Sequence, residues 1–186
     1  RQLVDPATLA QLQRDPVTGL FNRAHTLERI DTAVAAAANG KKGQALLLIE
    51  PDNWSSIVAS IGLGKADELI AGFADRIRIL LGSTDVAGML AEHTFGVVLD
   101  SRQDEAIREW ISKLQHSVSN EIFDAGSRSI TVNTSIGGSL LGEKNANTDL
   151  LLNQASQALR NAQSQGGGKV ELHDPAAREK ADEERE

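Results

Sequence analysis

Apolar and polar positions along the chain follow helical spacing in some stretches and strand-like spacing in others. Residues 23–38 carry apolar side chains at helical spacing, and Asn39-Gly40 ends the pattern. The continuous apolar run 45–49 instead predicts a buried strand. Alternation of this kind is typical of an α/β or α+β domain. In chain order, the predicted elements are helix 23–38, strand 45–49, helices 54–61 and 66–81 separated by Gly62-Leu63-Gly64, strands 86–90 and 95–99, helix 105–118, strand 129–136, helix 150–163 and a short strand around Val170.

Composition and charge narrow the range of functions. The chain has 186 residues, 40% of them hydrophobic, which suits one domain with a core. The absence of cysteine excludes disulfides and thiolate metal sites and fits a cytoplasmic setting. A net charge of -7 argues against nucleic acid as a partner, and it means that a nucleotide site would need its own local cations. No apolar run is long enough to form a membrane segment, and Arg1 at the start indicates a piece of a longer protein.

One run near the N-terminus is distinctive, and later landmarks follow it in a fixed order. The run resembles the Asp-x-Leu-Thr-Gly-Leu-x-Asn-Arg opening of GGDEF domains and reads Asp15-Pro16-Val17-Thr18-Gly19-Leu20-Phe21-Asn22-Arg23. Residues 134–137 are similar to the family's Ser-Ile-Gly strand end, and 155–168 resemble its closing helix and glycine loop. The resemblance covers residues 15–172. It implies a three-layer α/β/α fold with a central, mostly antiparallel sheet, like the palm of nucleotide cyclases.

The family's chemistry is metal-assisted transfer between two GTP molecules, and its Gly-Gly-(Asp/Glu)-Glu-Phe hairpin is altered here. Both glycines, which allow a tight turn, have gained side chains. The acidic residue that helps to hold Mg²⁺ has become His93, and imidazole is a poor ligand for Mg²⁺. Only the packing residue of the motif is retained. The resemblance therefore implies a vestigial signature, which reads Ala91-Glu92-His93-Thr94-Phe95.

The positions that would bind metal and guanine are altered as well. The family's Asp-x-Asp at the end of the first strand corresponds to Glu50-Pro51-Asp52, and Glu50 alone would make a weak Mg²⁺ site. Val58 stands where the family has an asparagine that hydrogen-bonds guanine. Asp67 matches the second guanine-reading acid and is retained.

The positions that would bind phosphate and product have changed in the same direction. The lysine and arginine that neutralise the triphosphate align with Gln163 and Gly167, although Lys169 could partly compensate. The product-feedback motif, Arg-x-x-Asp, aligns with residues 82–85, where Asp85 is retained and the arginine is absent. The resemblance thus implies vestigial pockets with no catalytic residue, no bound metal and no cofactor.

Several of these residues allow a second interpretation. His93 with Glu50 could hold a transition metal, but a hairpin-turn histidine is favoured because metal sites usually need three or more ligands. Glu50 and Asp52 could hold Mg²⁺ for a nucleotide or form an ordinary polar strand end. Trp54 could stack on a base, although packing between helix and sheet is favoured. Residues 166–168 could cradle a phosphate, although helix termination is favoured.

The resemblance implies a regulatory role in cyclic di-GMP signalling. Residues 1–14 are expected to form a connecting helix, 15–172 a degenerate GGDEF domain and 173–186 a charged linker helix. Such domains usually link an N-terminal sensor to a C-terminal EAL phosphodiesterase-like domain, so these neighbours, other proteins and a second copy in a homodimer are the expected partners. The pattern resembles FimX-type proteins, which act in type IV pilus and twitching-motility control. A GTP-binding allosteric module and a weakly active diguanylate cyclase remain as alternatives.

Overall fold

The computed structural model describes residues 5–119, 122–125 and 128–177. Helices cover both faces of a central sheet, and a small hairpin lies apart from it. The elements are α1 (Pro6–Leu12), α2 (Arg23–Ala38), β1 (Gln44–Pro51), α3 (Trp54–Ile61), α4 (Leu63–Leu80), β2 (Val86–Ala91), β3 (Thr94–Leu99), α5 (Asp104–Ser119), β4 (Ile122–Ala125), β5 (Arg128–Thr131), β6 (Thr134–Leu141), a short 3₁₀ helix (Glu143–Asn145), α6 (Thr148–Ser164) and β7 (Val170–His173).

Strand β1 lies at the centre of the sheet. The strand order is β2-β3-β1-β6-β7, with β4 and β5 pairing separately. Ile49 of β1 faces Phe95 of β3 on one side and Ile136 of β6 on the other, and both pairings are antiparallel. Strand β7 runs parallel to β6 at one edge. The predicted, mostly antiparallel sheet is therefore confirmed, and the residues at the end of β1 have neighbours on both sides.

Each face of the sheet buries its own hydrophobic cluster, which gives three layers. Leu47 and Ile49 belong to the cluster under α3, α4 and α5, whereas Leu46 and Leu48 belong to the cluster under α2 and α6. Because successive side chains of a strand point to opposite faces, a strand covered on both sides reads as an unbroken apolar run. This is the physical reason for the continuous pattern at 45–49.

Helix α6 packs against β6 at very short range. A Cβ atom added to Gly137 would lie 2.0 Å from the backbone nitrogen of Leu159, so the approach depends on glycine. The face of α6 that meets the sheet includes three small buried residues, Ala155, Ala158 and Ala162. This packing carries the C-terminal end of α6, with Gln163, over the end of β1.

The predicted order of elements is confirmed, and three details are corrected. The strand predicted over 129–136 is two strands, because the strand is interrupted at residues 132–133. There the Asn133 carbonyl accepts a hydrogen bond from the N–H of Asp52. The sequence pattern did not predict strand β4. The predicted break at residues 62–64 is confined to Gly62, whose φ of 85° interrupts the helix, so α4 begins directly at Leu63.

The two predicted connecting segments are only partly described. Helix α1 lies within the segment 1–14, and its residues are exposed. Of the segment 173–186, residues 178–186 lie outside the described residues. In the parts of the chain that the structure describes, no helix has both the length and the apolar character needed to cross a bilayer.

Candidate functional site

The residues that the resemblance assigns to the family's catalytic positions gather at one end of the sheet. Strand β1 ends there, and the turn between β2 and β3 lies beside it. Because Ile49 pairs with Phe95, the adjoining residues Glu50 and Thr94 are brought side by side. The end of α6 and the glycine loop after it approach from the opposite side. The sheet register thus joins segments that are far apart in sequence.

The carboxylate of Glu50 is held by two side chains of the domain itself. Thr94 Oγ1 donates a hydrogen bond to Glu50 Oε2 at 2.5 Å, and Gln163 Nε2 donates one to Oε1 at 2.8 Å. His93 Nε2 lies 4.0 Å from Oε1, and the Glu50 side chain is only 18% exposed. Both carboxylate oxygens therefore already accept a hydrogen bond from residues that the resemblance assigns to the family's site. Sequence reasoning singled out all four residues but did not predict these bonds.

Asp52 fastens the glycine loop to the strand end. Its Oδ1 accepts a hydrogen bond from Ser135 Oγ at 2.7 Å, and its Oδ2 accepts one from the backbone N–H of Gly168 at 2.7 Å. Gly167 has a φ of 77°, and a Cβ atom there would lie 2.7 Å from Asp52 Oδ2. The loop closes α6 in contact with a carboxylate, which favours helix termination over phosphate binding because an acid already occupies its N–H group.

The β2–β3 turn presents side chains where the family has glycine. Ala91 pairs with Thr94, and a register shift precedes it in β2. Ala91 and Glu92 are exposed. The ring of His93 stacks on Trp54, with centroids 5.7 Å apart and planes inclined by 18°. Trp54 is 8% exposed and belongs to the core under α3 and α4, so it packs as predicted and also supports the turn.

A pocket of about 310 Å³ opens beside this turn. Its walls include Arg23, Trp54, Asp67 and Glu92. Val58 is not one of its lining residues; it is partly buried and packs against the hydrophobic core. Of the two positions that the resemblance assigns to guanine recognition, Asp67 lines the pocket and Val58 packs against the core.

The donors at this end of the sheet do not suit Mg²⁺. This ion prefers oxygen ligands in octahedral geometry. The hairpin position that supplies an acid in the family carries the imidazole of His93, and both oxygens of Glu50 accept hydrogen bonds within the domain. Over residues 5–119, 122–125 and 128–177, no three His, Cys, Asp or Glu side chains are grouped so that they could hold a metal ion.

Asp85, at the family's feedback position, is bonded entirely from within the protein. Its side chain is 1% exposed and lies 2.5 Å from Arg102 Nη1. The backbone N–H groups of Gly82 and Asp100 also donate to it, at 2.6 and 2.9 Å. Sequence reasoning noted the missing arginine at position 82 but missed Arg102, which the β2–β3 hairpin brings back to the start of β2. No linear motif could have indicated this pairing.

An ion pair next to Asp85 and its hydrogen-bond donors stabilises the end of β3. Lys41 Nζ lies 2.8 Å from Asp100 Oδ1. Burial acts to raise the pKa of the Asp100 carboxyl, but the hydrogen bond and charge of Lys41, with hydrogen bonds from Ser101 and Thr84, outweigh burial and lower the pKa below its ordinary value. The ionised carboxylate is thus the form that the folded protein favours.

Comparison with known proteins identifies a matching family and several similar proteins. The family described as diguanylate cyclase, GGDEF domain, matches residues 12–169. The cyclic di-GMP phosphodiesterase NbdA of Pseudomonas aeruginosa is 29% identical over 161 residues, which are 86% of this chain and 20% of NbdA. The probable diguanylate cyclase DgcE of Escherichia coli is 25% identical over 161 residues, which are 87% of this chain and 15% of DgcE. The chain therefore spans a fifth or less of these two relatives.

Solved structures match the same region. The GGDEF domain of FimX from Pseudomonas aeruginosa superimposes with a TM-score of 0.80 and 29% identity, over 85% of this chain and 98% of that one. The GGDEF domain of DgcB from Caulobacter crescentus, in complex with cyclic di-GMP, has a TM-score of 0.81 over 92% of this chain and 96% of that one; at 17% identity it shows the fold alone. The opening motif, the sheet order and the match over residues 12–169 lead to one conclusion: the chain belongs to the GGDEF domain family.

Proposed function

We propose that this GGDEF domain makes no cyclic di-GMP and serves as a regulatory contact domain in cyclic di-GMP signalling. The observation that carries the proposal is the pair of hydrogen bonds from Thr94 and Gln163 to Glu50. Thr94 stands where the family has the glutamate of its signature, and Gln163 where it has a phosphate-neutralising lysine. The replacing side chains bind the strand-end acid, so a metal would have to compete with them for its oxygens.

The loss of charge supports the same proposal. Gln163 and Gly167 are neutral at the two positions that neutralise the triphosphate in the family. A hydrogen bond to a charged group contributes roughly 1.5–3 kcal/mol, so two missing contacts weaken GTP binding by roughly two to four powers of ten. Lys169 is exposed, and its carbonyl accepts a hydrogen bond from the N–H of Ile136, which ties its backbone to the sheet.

The likeness to the FimX GGDEF domain supports a role inside a longer protein. In this proposal, residues 1–14 connect to a sensor and residues 173–186 lead to an EAL domain that reads cyclic di-GMP. The domain works in the cytoplasm, its partners are these neighbouring domains, other proteins and a second copy of the chain, and the output is control of type IV pili and twitching motility. Measuring the phosphodiesterase activity of the full-length protein with residues 15–172 deleted tests this arrangement, since an unchanged activity would contradict it.

A product assay tests catalytic silence directly. Purified protein incubated with GTP and either Mg²⁺ or Mn²⁺ is expected to yield no cyclic di-GMP by mass spectrometry. The matched control is Glu50→Ala, which removes the acid that a residual metal site would need. Product above the level of a no-enzyme sample, lost in the Glu50→Ala variant, would refute the proposal and favour a weakly active cyclase.

Calorimetry separates the proposal from a GTP-binding allosteric module. The observation that favours the module is Asp67, which is retained and lines the pocket beside the turn. We expect no saturable heat on titration with GTP and Mg²⁺. A saturable isotherm that disappears in the Asp67→Ala variant, without product, would make the allosteric module the better account.

A further inference from the structure

The pocket beside the hairpin turn has the wrong charge for a phosphate-bearing ligand. Three of its wall residues, Asp15, Asp67 and Glu92, are acidic and one, Arg23, is basic. A phosphate entering the pocket therefore meets a net negative charge, whereas a cation is attracted. This is the reverse of the charge that a nucleotide site needs.

The acids are not equivalent. Asp15 is committed to the turn that opens the domain, because its Oδ2 accepts hydrogen bonds from the N–H of Thr18 at 2.8 Å and from the Thr18 hydroxyl at 2.9 Å. Asp67, on α4, and Glu92, in the β2–β3 turn, are both exposed on the rim. The two rim carboxylates can therefore meet an incoming cation, and Asp15 adds its charge from the wall.

The inner wall of the same pocket is apolar. Trp54, Ile70 and Met89 line it and are 8%, 3% and 5% exposed. An apolar wall below an acidic rim suits a side chain with an alkyl stem and a cationic end. Arginine and lysine have this chemistry.

Building on the proposed function, in which no nucleotide fills the site, we propose that this pocket receives an arginine or lysine side chain from a partner protein. The stem packs on Trp54 and Met89, and the charged end meets Asp67 and Glu92. The charge that disfavours GTP is then the charge that selects the partner. The pocket adjoins the β2–β3 turn, so the partner contacts the altered signature residues Ala91 and Glu92 directly.

The two tryptophans of the chain provide a direct assay. The indole N–H of Trp54 reports on the pocket. Trp110 serves as an internal reference, because it is 5% exposed, lies on α5 and donates its indole N–H to the Leu80 carbonyl at 2.7 Å. The ¹⁵N-labelled protein is titrated with five-residue glycine-serine peptides that carry a central arginine, lysine or glutamine.

The arginine and lysine peptides are expected to shift the Trp54 indole signal saturably and to leave the Trp110 signal in place, whereas the glutamine peptide shifts neither. In the Asp67→Asn, Glu92→Gln double variant, we expect binding at least about tenfold weaker, since each charged acceptor is lost. The matched control is Glu68→Gln with Asp75→Asn, which removes the same charge from exposed positions of α4 that do not line the pocket. This variant is expected to bind like the parent.

Equal weakening in the two double variants would show a general charge effect and overturn the inference, as would the absence of any Trp54 shift with the basic peptides. Both double variants replace exposed residues, and their melting temperatures verify that they fold. A titration of the same samples with GTP and Mg²⁺ bears on the proposed function alone. A saturable Trp54 shift with GTP would contradict the proposal that the domain binds no nucleotide, whatever the peptides do.

Discussion

Glu50 keeps a carboxylate in a partly buried place because two uncharged residues donate hydrogen bonds to it. Thr94→Val removes one donor while conserving shape, so we expect the free energy of unfolding to fall by about 1–3 kcal/mol. Urea denaturation measures the change. Thr32→Val is the control, because Thr32 is exposed on α2 and bonds only to its own helix; it is expected to change stability by less than about 0.5 kcal/mol. Equal effects of the two variants would contradict a supporting role for Thr94.

Asp85 is expected to be a structural residue and not a ligand-binding one. Asp85→Ala leaves the Arg102 guanidinium and two N–H groups without their acceptor, so we expect a loss of about 3–5 kcal/mol in urea denaturation. The parent domain is also expected not to bind cyclic di-GMP at low micromolar concentration. A stable Asp85→Ala variant, together with a cyclic di-GMP isotherm of the parent that the variant loses, would restore the feedback role.

The Lys41–Asp100 pair predicts a pH dependence. The folded state lowers the pKa of Asp100, so the pair stabilises the fold above the unfolded pKa of about 4 and loses that contribution as pH falls through the folded pKa. We expect Asp100→Asn to reduce stability at pH 7 by less than about 1 kcal/mol, because the Lys41 side chain is 42% exposed. Urea denaturation from pH 7 to pH 3 should show a shallower fall for the variant. An identical slope in both proteins would contradict the assignment.

At the scale of elements, hydrophobic spacing was enough to place the long helices and the central strands. The helix predicted over 23–38 matches α2, and the apolar run at 45–49 lies inside β1. Spacing failed where a side-chain or backbone contact from elsewhere decides the structure. The alternation over 129–136 continues through the break between β5 and β6, where Asn133 bonds to Asp52. The bonds to Glu50 were equally hidden, because Gln163 lies 113 residues away in sequence.

The contact between α6 and β6 gives a prediction for this scale. Gly137→Ala inserts a methyl group 2.0 Å from the backbone of Leu159, so α6 must move or the domain must unfold. We expect a loss of more than about 3 kcal/mol and a lower melting temperature. Gly142→Ala, just beyond the C-terminal end of β6, meets no atom within 4 Å and is expected to be nearly neutral. Similar melting temperatures for the two variants would show that the α6 packing is looser than described.

At the scale of the whole molecule, restoring the hairpin alone is not expected to restore catalysis. The combined changes Ala91→Gly, Glu92→Gly, His93→Asp and Thr94→Glu rebuild the signature and add an acid near Glu50. They leave Val58 in the core and Gln163 and Gly167 neutral. We expect Mg²⁺ binding by calorimetry to improve and cyclic di-GMP to stay undetected by mass spectrometry. Clear turnover would mean that the substitutions in the hairpin alone account for the loss of catalytic activity.

Asp15 and Asp174 lie near opposite poles of the central sheet. Asp15 shares a pocket with Ala91 and Glu92 at the hairpin end, whereas Asp174 shares one with Lys42 and Gly142 at the start of β1. The eight residues of β1 span about 26 Å between these poles, at roughly 3.3 Å per residue. A line drawn between these two residues therefore runs roughly along the hydrogen-bonded strands of the sheet. We therefore expect the sheet to resist a force along this direction, so that a displacement at one side reaches the other with little deformation of the strands between them.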